Sequence, residues 1–144
     1  MTPRQLFLQA CASKHGFPYR WGGNGPDFFD CSGLVLFGLR HAGFQMEDVR
    51  ACDLAEIFKP DIVPFNSCIP GCLLFYGLPK ITHVMYCLNR WPDGHLIIAG
   101  ARGGDEKTVD YEIAYNQRAF VDVVRGDYWK GDLSFVADPF RGEA

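Results

Sequence analysis

The 144-residue sequence has no long hydrophobic run, no internal repeat and no low-complexity tract. The apolar stretch near its N-terminus is too short and too interrupted to span a bilayer, and no small-residue cleavage site follows a true signal-peptide core. The formal net charge is only −3 and the basic residues are scattered. We therefore expect no membrane segment and no secretion signal, and neither nucleic acid nor an anionic membrane surface is an expected partner.

The composition is that of an ordinary globular protein. Apolar residues make up 48% of the chain and charged residues 22%. A chain of this length can bury a sizeable core, and no segment has the composition of a linker. The sequence predicts one domain over residues 1–144.

The six cysteines carry little evidence of a disulfide framework, because a chain this long without a secretion signal is expected to keep its thiols reduced. They are Cys11, Cys31, Cys52, Cys68, Cys72 and Cys87. Cys68 and Cys72 form the only close pair, with Pro70 and Gly71 between them. A C-x3-C pair without a second pair or a well-spaced histidine is a weak metal signal, so structural thiols are favoured and no metal is expected.

The stretch YRWGGNGPDFFDCSG (residues 19–33) places Cys31 at the start of a helix. An amphipathic segment follows Cys31 and stops at Gly43, a typical glycine at a helix C-terminus. Unpaired N–H groups and the helix dipole favour a thiolate in the first helical turn, which predicts a lowered pKa and a nucleophilic Cys31. The alternative is a small buried hydrophobic residue, the usual state of an intracellular cysteine.

Local signals predict helices in the first half of the chain. Thr2, Pro3 and Gln5 form a capping box with proline at the first helical position, and this helix should end at Gly16. A second short helix is predicted at 53–58, and a loop at 61–70.

The second half predicts strands. Apolar or alternating runs occur at 72–76, 81–88, 95–101, 109–115, 119–124 and 135–136. Trp91 to Gly94, with Pro-Asp-Gly, predicts the turn of a hairpin. Helices followed by an antiparallel sheet indicate an α+β domain in which the first half lies over the sheet.

A nucleophilic thiol needs a partner that takes and returns a proton, and this partner is usually a histidine distant in sequence. His41 is ten residues along the Cys31 helix and thus roughly 15 Å away, out of reach. His15 ends the first helix and His95 lies at the hairpin turn. Only His83 falls within a core strand, where the alternative is a buried histidine bonded to the backbone.

Four segments carry a resemblance to a known family. They are PYRWGG (18–23), FDCSGLV (29–35), PGCLLFYG (70–77) and THVMYCL (82–88). In order and spacing they resemble the NlpC family of bacterial cell-wall cysteine peptidases, over roughly residues 3 to 101. FDCSGLV after a PYRWGG segment is a specific match.

The resemblance implies a papain-like α+β fold with the nucleophile at the N-terminus of a helix packed on an antiparallel sheet. Cys31 would be the nucleophile and His83 the general base. Members of the family typically hydrolyse the peptide stems of peptidoglycan, often next to D-glutamate and diaminopimelate, through a thioester. The resemblance implies no metal and no cofactor.

The same resemblance implies roles for three neighbours of Cys31. Tyr19 would lie beside the cysteine, and Asp30 and Ser32 would contact substrate, with Asp30 meeting a free amino terminus. A helix cap is the alternative for Asp30. The role of Ser32 stays open in the same way.

The third member of the catalytic set is the main departure from the family, which places a histidine, asparagine or glutamine on the strand after the base. His95 follows His83 by twelve residues, but a turn centred on Pro92 and Asp93 would put it near Arg90, roughly 23 Å from His83 along the strand.

Alignment of the strands instead puts Ile98 in the third position, where it cannot orient an imidazole. Arg102, Asp105, a backbone carbonyl or a water remain as alternatives to His95. A second departure is Cys72, which stands where the family's PGDLLFF-like segment has aspartate.

These patterns favour a peptidoglycan-directed cysteine endopeptidase. Without a signal or a wall-binding domain it would recycle wall fragments in the cytoplasm or act in a phage virion, with virion proteins as partners. Two alternatives stay open: a non-catalytic binding or structural module on the same fold, and a Cys–His amidase or acyltransferase. Tyr128 and Trp129 would line a substrate groove or serve in ordinary packing.

Overall fold

The structure of the protein is a computed structural model that describes residues 1–126 and 130–143. Tyr128 and Trp129 lie outside the described residues. The helices are α1 (Pro3–Ala12), α2 (Cys31–His41), α3 (Ala51–Ile57) and α4 (Tyr111–Gln117). The strands are β1 (Ile62–Val63), β2 (Leu73–Tyr76), β3 (His83–Arg90), β4 (Leu96–Arg102), β5 (Phe120–Arg125) and β6 (Leu133–Ala137).

The six strands form one antiparallel sheet in the order β1-β6-β2-β3-β4-β5, and the predicted α+β fold is confirmed. Helix α2 contacts β3 and β4, and α1 contacts α2. All four residues of β2 are buried, because β2 lies inside the sheet with both faces covered. The sheet is thus the platform on which the N-terminal helices lie.

A capping box explains where α1 begins. The Thr2 hydroxyl accepts from the Gln5 N–H at 3.2 Å, and the Thr2 N–H donates to the Gln5 side chain at 2.9 Å, so the capping box is confirmed. Gly16 and Gly43 follow α1 and α2 in left-handed backbone conformations, as the sequence predicts. None of the described helices has the length and apolar character that crossing a bilayer requires.

Two buried clusters cover the two faces of the sheet. The larger lies between the sheet and the helices and contains the apolar face of α2. The smaller lies on the other face and consists of Cys68, Cys72, Leu74, Tyr76, Met85, Cys87, Leu96, Ile98 and Val136. Alternate residues of β3 enter the two clusters, since successive side chains of a strand point to opposite faces.

Two secondary-structure predictions need correction. The segment 109–115, predicted as a strand, forms α4, because the Asp110 side chain caps the helix by accepting from the Ile113 N–H at 2.9 Å. Within α4 only Ala114 is buried, so the segment lacks the alternating burial of a strand. The predicted loop at 61–70 contains the two-residue strand β1 and a short 3₁₀ turn.

The β3–β4 hairpin turns where the sequence predicts. Arg90 pairs with Leu96 and Tyr86 with Ala99, with one irregularity between them. The hairpin therefore separates its two histidines: His83 begins β3, and His95 lies at the turn, just before β4.

Candidate active site

Cys31 is the first residue of α2, and its thiol lies against the beginning of β3. The backbone of Val84 on β3 lies against the thiol and favours its charged form, which places the sulfur at the step between His83 and Val84. Cys31 itself is partly buried against the larger core cluster. The structure thus places the Cys31 thiol against the start of the strand that begins with His83.

The glycine-rich loop before Cys31 packs closely on the helix terminus. The Asp30 N–H donates to the Gly23 carbonyl at 2.8 Å. A side chain at Gly33 could not be accommodated, because its Cβ would overlap that same carbonyl oxygen and lie 2.9 Å from the Cα of Asn24. The backbone of the loop therefore approaches its own helix closely.

Asp30 is the N-cap of α2, so the helix-cap interpretation is confirmed. Its carboxylate accepts from the Gly33 N–H at 2.7 Å and from the Gly22 N–H at 3.1 Å. The Ser32 hydroxyl lies 3.2 Å from the same carboxylate, and Ser32 is 6% exposed. Burial raises the pKa of Asp30, while these hydrogen bonds act in the opposite direction. Substrate contact by Asp30 and Ser32 stays a prediction.

The capping role predicts a measurable loss of stability in Asp30→Ala. Removing the carboxylate leaves the Gly33 and Gly22 N–H groups without their acceptor, and we expect unfolding free energy to fall by about 1–2 kcal/mol. Urea denaturation followed by circular dichroism measures it. Asp27→Ala is the control, since Asp27 is exposed. Equal stability of the two variants would contradict a capping role.

Tyr19 is near enough to Cys31 for the two side chains to interact electrostatically. Its side chain is buried, and its N–H donates to the Ala119 carbonyl at 3.0 Å. Burial raises the pKa of the Tyr19 hydroxyl, and negative charge on Cys31, Asp30 or Asp105 raises it further. The hydroxyl is therefore protonated at neutral pH and lies within electrostatic reach of the thiol.

His83 occupies a dry environment at the start of β3. It is 8% exposed, and its ring centroid lies 5.7 Å from that of Tyr76. Burial and, to a lesser extent, the charge of Arg102 lower the pKa of His83 to about 4. The imidazole is consequently neutral at neutral pH and able to accept a proton.

The prediction of an acidic Cys31 thiol is wrong for the resting protein. Burial raises the pKa of Cys31 to about 12, and the nearby Asp30 carboxylate acts in the same direction. The backbone groups of Val84 and of the helix terminus lower it, but they do not outweigh burial. The Cys31 thiol is therefore protonated at neutral pH, and the His83 imidazole is neutral.

The polar group on the strand beside His83 is an arginine held by an aspartate. Continuing the β3–β4 register from Tyr86 and Ala99 places Arg102 opposite His83. Arg102 donates to the Asp122 carboxylate on β5 at 3.1 Å. A guanidinium has no acceptor, so it cannot receive a hydrogen bond from the imidazole. Sequence reasoning missed Asp122, although it is the one polar residue in an otherwise apolar β5 run, 120–124.

The structure does not bring His95 to Cys31. Its imidazole is 2.9 Å from the Asp93 carboxylate at the hairpin turn, and its side chain is 66% exposed. It lines a separate cleft with Trp91 and Phe65. Ile98 is buried in the smaller cluster, and the Asp105 carboxylate accepts from the Lys107 N–H. Asp105 as the group that orients His83 stays a prediction.

Neutralising Arg102 is expected to raise the pKa of His83. Arg102→Gln removes a positive charge that disfavours the imidazolium, so the ring should titrate above the wild-type value of about 4 while staying below that of an exposed histidine because burial persists. NMR titration of the His83 ring signals measures the shift. Lys59→Gln, on the exposed surface, is the control. A pKa unchanged or lowered in Arg102→Gln would contradict the assigned electrostatics.

Within the described residues, no group of three or more histidine, cysteine, aspartate or glutamate side chains is arranged to hold a metal ion. The chemistry available at the site is that of one thiol, one imidazole, a tyrosine hydroxyl and the N–H groups of a helix terminus.

Relatives of known sequence cover about half of the chain. A probable endopeptidase of Mycobacterium tuberculosis is 44% identical over 88 residues, which are 56% of this chain and 23% of that protein. The probable endopeptidase p60 of Listeria grayi is 35% identical over 79 residues, 54% of this chain and 15% of that protein. The chain thus spans less than a quarter of the length of these curated relatives.

Solved structures match the fold over nearly the whole chain. NlpC2 from Trichomonas vaginalis has a TM-score of 0.72 and 17% identity, covering 95% of this chain and 47% of that one. RipD from Mycobacterium tuberculosis, described as a non-catalytic NlpC/p60 domain protein adapted to peptidoglycan binding, has a TM-score of 0.65 and 18% identity, covering 96% and 98%. At these identities the likeness shows the fold alone.

The family model described as NlpC/P60 matches residues 16–137, which include Tyr19, Cys31, His83 and the whole sheet. This match extends across both halves of the site and the elements that position them, and the chain therefore belongs to the NlpC/P60 family.

Proposed function

We propose that this protein is a cysteine endopeptidase that hydrolyses amide bonds in the stem peptides of peptidoglycan, with Cys31 as nucleophile and His83 as general base. The observation that carries the proposal is the position of the Cys31 thiol, at the N-terminus of α2 and against β3 at the step from His83 to Val84. Membership of the NlpC/P60 family and the endopeptidase names of its relatives support the substrate class.

The protonated Cys31 thiol and the neutral His83 imidazole set the order of events in the proposed reaction. His83 accepts the thiol proton as the sulfur attacks the substrate carbonyl, so no thiolate needs to form beforehand. The N–H groups at the start of α2 stabilise the negative oxygen that develops. The imidazolium then gives its proton to the leaving amine, and a thioester on Cys31 remains.

Hydrolysis of the thioester completes the cycle. His83, neutral again, takes a proton from water as the water attacks the thioester carbonyl, and returns it to the departing sulfur. Tyr19 would form one wall of the site, and its protonated hydroxyl can donate to a polar group of the substrate. Asp30 would act indirectly, by holding the helix terminus and the loop in place.

A second candidate function is a non-catalytic peptidoglycan-binding module. The residue opposite His83 favours it, because Arg102 cannot accept a hydrogen bond and so cannot orient the imidazole as an asparagine or glutamine would. The structural likeness to RipD, a non-catalytic protein, is compatible with this candidate. A cytoplasmic or virion location, and virion proteins as partners, stay predictions.

Digestion of purified peptidoglycan separates the two candidates. Isolated cell-wall sacculi and soluble muropeptides would be incubated with the protein, and the products identified by mass spectrometry. An endopeptidase should generate matched new amino and carboxyl termini within the stem. Sedimentation of the protein with sacculi without any product would support the binding module and contradict hydrolysis. Neither product nor binding would contradict both.

A further inference from the structure

Three thiols converge on the face of the sheet opposite α2, far from Cys31. Cys68, Cys72 and Cys87 are all fully buried in the smaller core cluster. Cys72 and Cys87 are cross-strand neighbours, since the β2–β3 register that pairs Leu73 with Tyr86 continues by one residue to pair them. The Cys87 N–H donates to the Cys72 carbonyl at 2.8 Å, consistent with this register.

Cys68 completes the group from a neighbouring turn. Its thiol lies within hydrogen-bond reach of the thiols of both Cys72 and Cys87. The chain reverses between Cys68 and Cys72, because the Cys72 N–H donates to the Ile69 carbonyl at 3.0 Å. Cys68 is therefore the common neighbour of the other two sulfurs.

The Cys72 sulfur receives a hydrogen bond from the backbone, and an arginine lies at the same turn. The Ile69 N–H donates to it at 3.5 Å, and Arg4 approaches the same turn, donating to the Pro70 carbonyl at 2.8 Å. Gly71 has a φ of +97°, and a Cβ there would lie 2.9 Å from Cγ of Arg4, so glycine both allows the turn and admits the arginine.

The two neighbouring thiols consequently differ. The interaction with Cys68 lowers the pKa of Cys72, and the Ile69 N–H and Arg4 act in the same direction, whereas burial and the Asp138 carboxylate oppose them. Interactions with the Cys72 and Cys87 thiols, together with burial, raise the pKa of Cys68. A thiol with a lowered pKa next to one with a raised pKa is the asymmetry of an attacking and a resolving cysteine.

We propose that Cys72 and Cys68 form a dithiol modification site that a small-molecule disulfide oxidises to an intramolecular disulfide. The Cys72 thiolate attacks one sulfur of the small disulfide, giving a mixed disulfide and releasing one small thiolate. Cys68, losing its proton, then attacks the Cys72 sulfur, forms the Cys68–Cys72 bond and releases the second small thiolate. Two electrons pass from the two cysteines to the small disulfide, which becomes two thiols.

The position of Cys68 provides a route of access. It is the one buried residue in an exposed segment, 64–69, in which Phe65 is 41% and Ile69 42% exposed. The segment is held by the Ile69–Cys72 turn and by a hydrogen bond from Arg90 to the Cys68 carbonyl at 2.9 Å. Opening of this short surface segment uncovers both thiols without unfolding the sheet.

Oxidised glutathione tests the proposal on the native protein. After incubation, the protein would be acid-quenched, denatured, alkylated and mapped by mass spectrometry, using Cys52→Ser because Cys52 lies in the same tryptic peptide. We expect Cys68 and Cys72 to become resistant to alkylation together, in a peptide lighter by two hydrogen atoms. The rate of this change should be at least about 10-fold higher than the rate at which buried Cys11 reacts with oxidised glutathione. Dithiothreitol should restore alkylation. Cys87 should remain alkylated.

Single variants identify which thiol attacks. Cys68→Ser should accumulate a glutathione adduct on Cys72, whereas Cys72→Ser should give none on Cys68. Any of four results would overturn the proposal. In the protein treated with oxidised glutathione, these are alkylation of both cysteines, a disulfide to Cys87, and a stable glutathione adduct while both thiols are present. The fourth is a glutathione adduct on Cys68 in Cys72→Ser. The alkylation experiment with oxidised glutathione uses neither Cys68→Ser nor Cys72→Ser, so its result holds even if one of these variants fails to fold.

Discussion

Replacing Cys31 with alanine is expected to reduce stem-peptide hydrolysis by roughly 10⁴-fold or more, the scale of nucleophile removal in hydrolases with a catalytic triad. No other described thiol lies at the step from His83 to Val84, so none can substitute for it. The loss of one sulfur from a partly buried position should leave the fold intact. The Asp30 carboxylate still accepts from the Gly33 N–H in the variant and so still caps α2.

Release of soluble fragments from sacculi and circular dichroism together measure this prediction. Cys52→Ala is the matched control, since Cys52 is another partly exposed helical cysteine and lies outside the site. Cys31→Ser should also be inactive, because a serine hydroxyl is a much weaker acid than a thiol. Full hydrolysis by Cys31→Ala would refute a cysteine peptidase, while equal losses in the Cys31 and Cys52 variants would indicate damage to the fold.

The parts of the fold that sequence predicts well are those fixed by short-range chemistry. The capping box of α1 needs only Thr2 and Gln5, and the hairpin turn needs only Trp91 to Gly94. Both depend on residues at most three positions apart. The same holds for the start of α2, where a polar cap, a cysteine and an apolar stripe follow one another directly.

Other features depend on groups that are distant in sequence. Segment 109–115 contains residue types common in strands, yet its N-cap and the burial of Ala114 make it a helix. The Arg102–Asp122 pair joins two strands and depends on their register. The convergence of Cys68 and Cys87 likewise needs a turn and a sheet together, and so a C-x3-C spacing alone could not indicate it.

The protonation state of Cys31 also depends on groups that are distant in sequence. Helix position alone predicts a thiolate at Cys31, because the terminus of α2 favours negative charge. Burial of the thiol raises its pKa instead. Burial is a property of the folded chain, and here its effect on the thiol exceeds that of the local helix terminus.

Replacing His83 with alanine is expected to lower hydrolysis by about 10³-fold, whereas His95→Ala should stay within about 2-fold of the wild type. The Cys31 thiol lies against β3 at the step from His83 to Val84, while His95 is exposed at the far end of the hairpin and bonded to Asp93. The same muropeptide assay measures both variants. A large loss in His95→Ala with normal folding would instead make His95 the third member and contradict the site described above.

The pH dependence of wild-type kcat/KM gives a second readout of His83 in the free enzyme. Below its pKa the imidazole carries a proton and cannot take one from Cys31, so the rate should fall as pH decreases through about 4. An ordinary histidine would produce that fall near pH 6.5, about the value for an exposed ring.

Arg102→Gln should move the acidic limb to higher pH, because it raises the pKa of His83. An acidic limb near pH 6.5 that does not move in Arg102→Gln would show that another group, not the buried imidazole beside Arg102, controls the reaction.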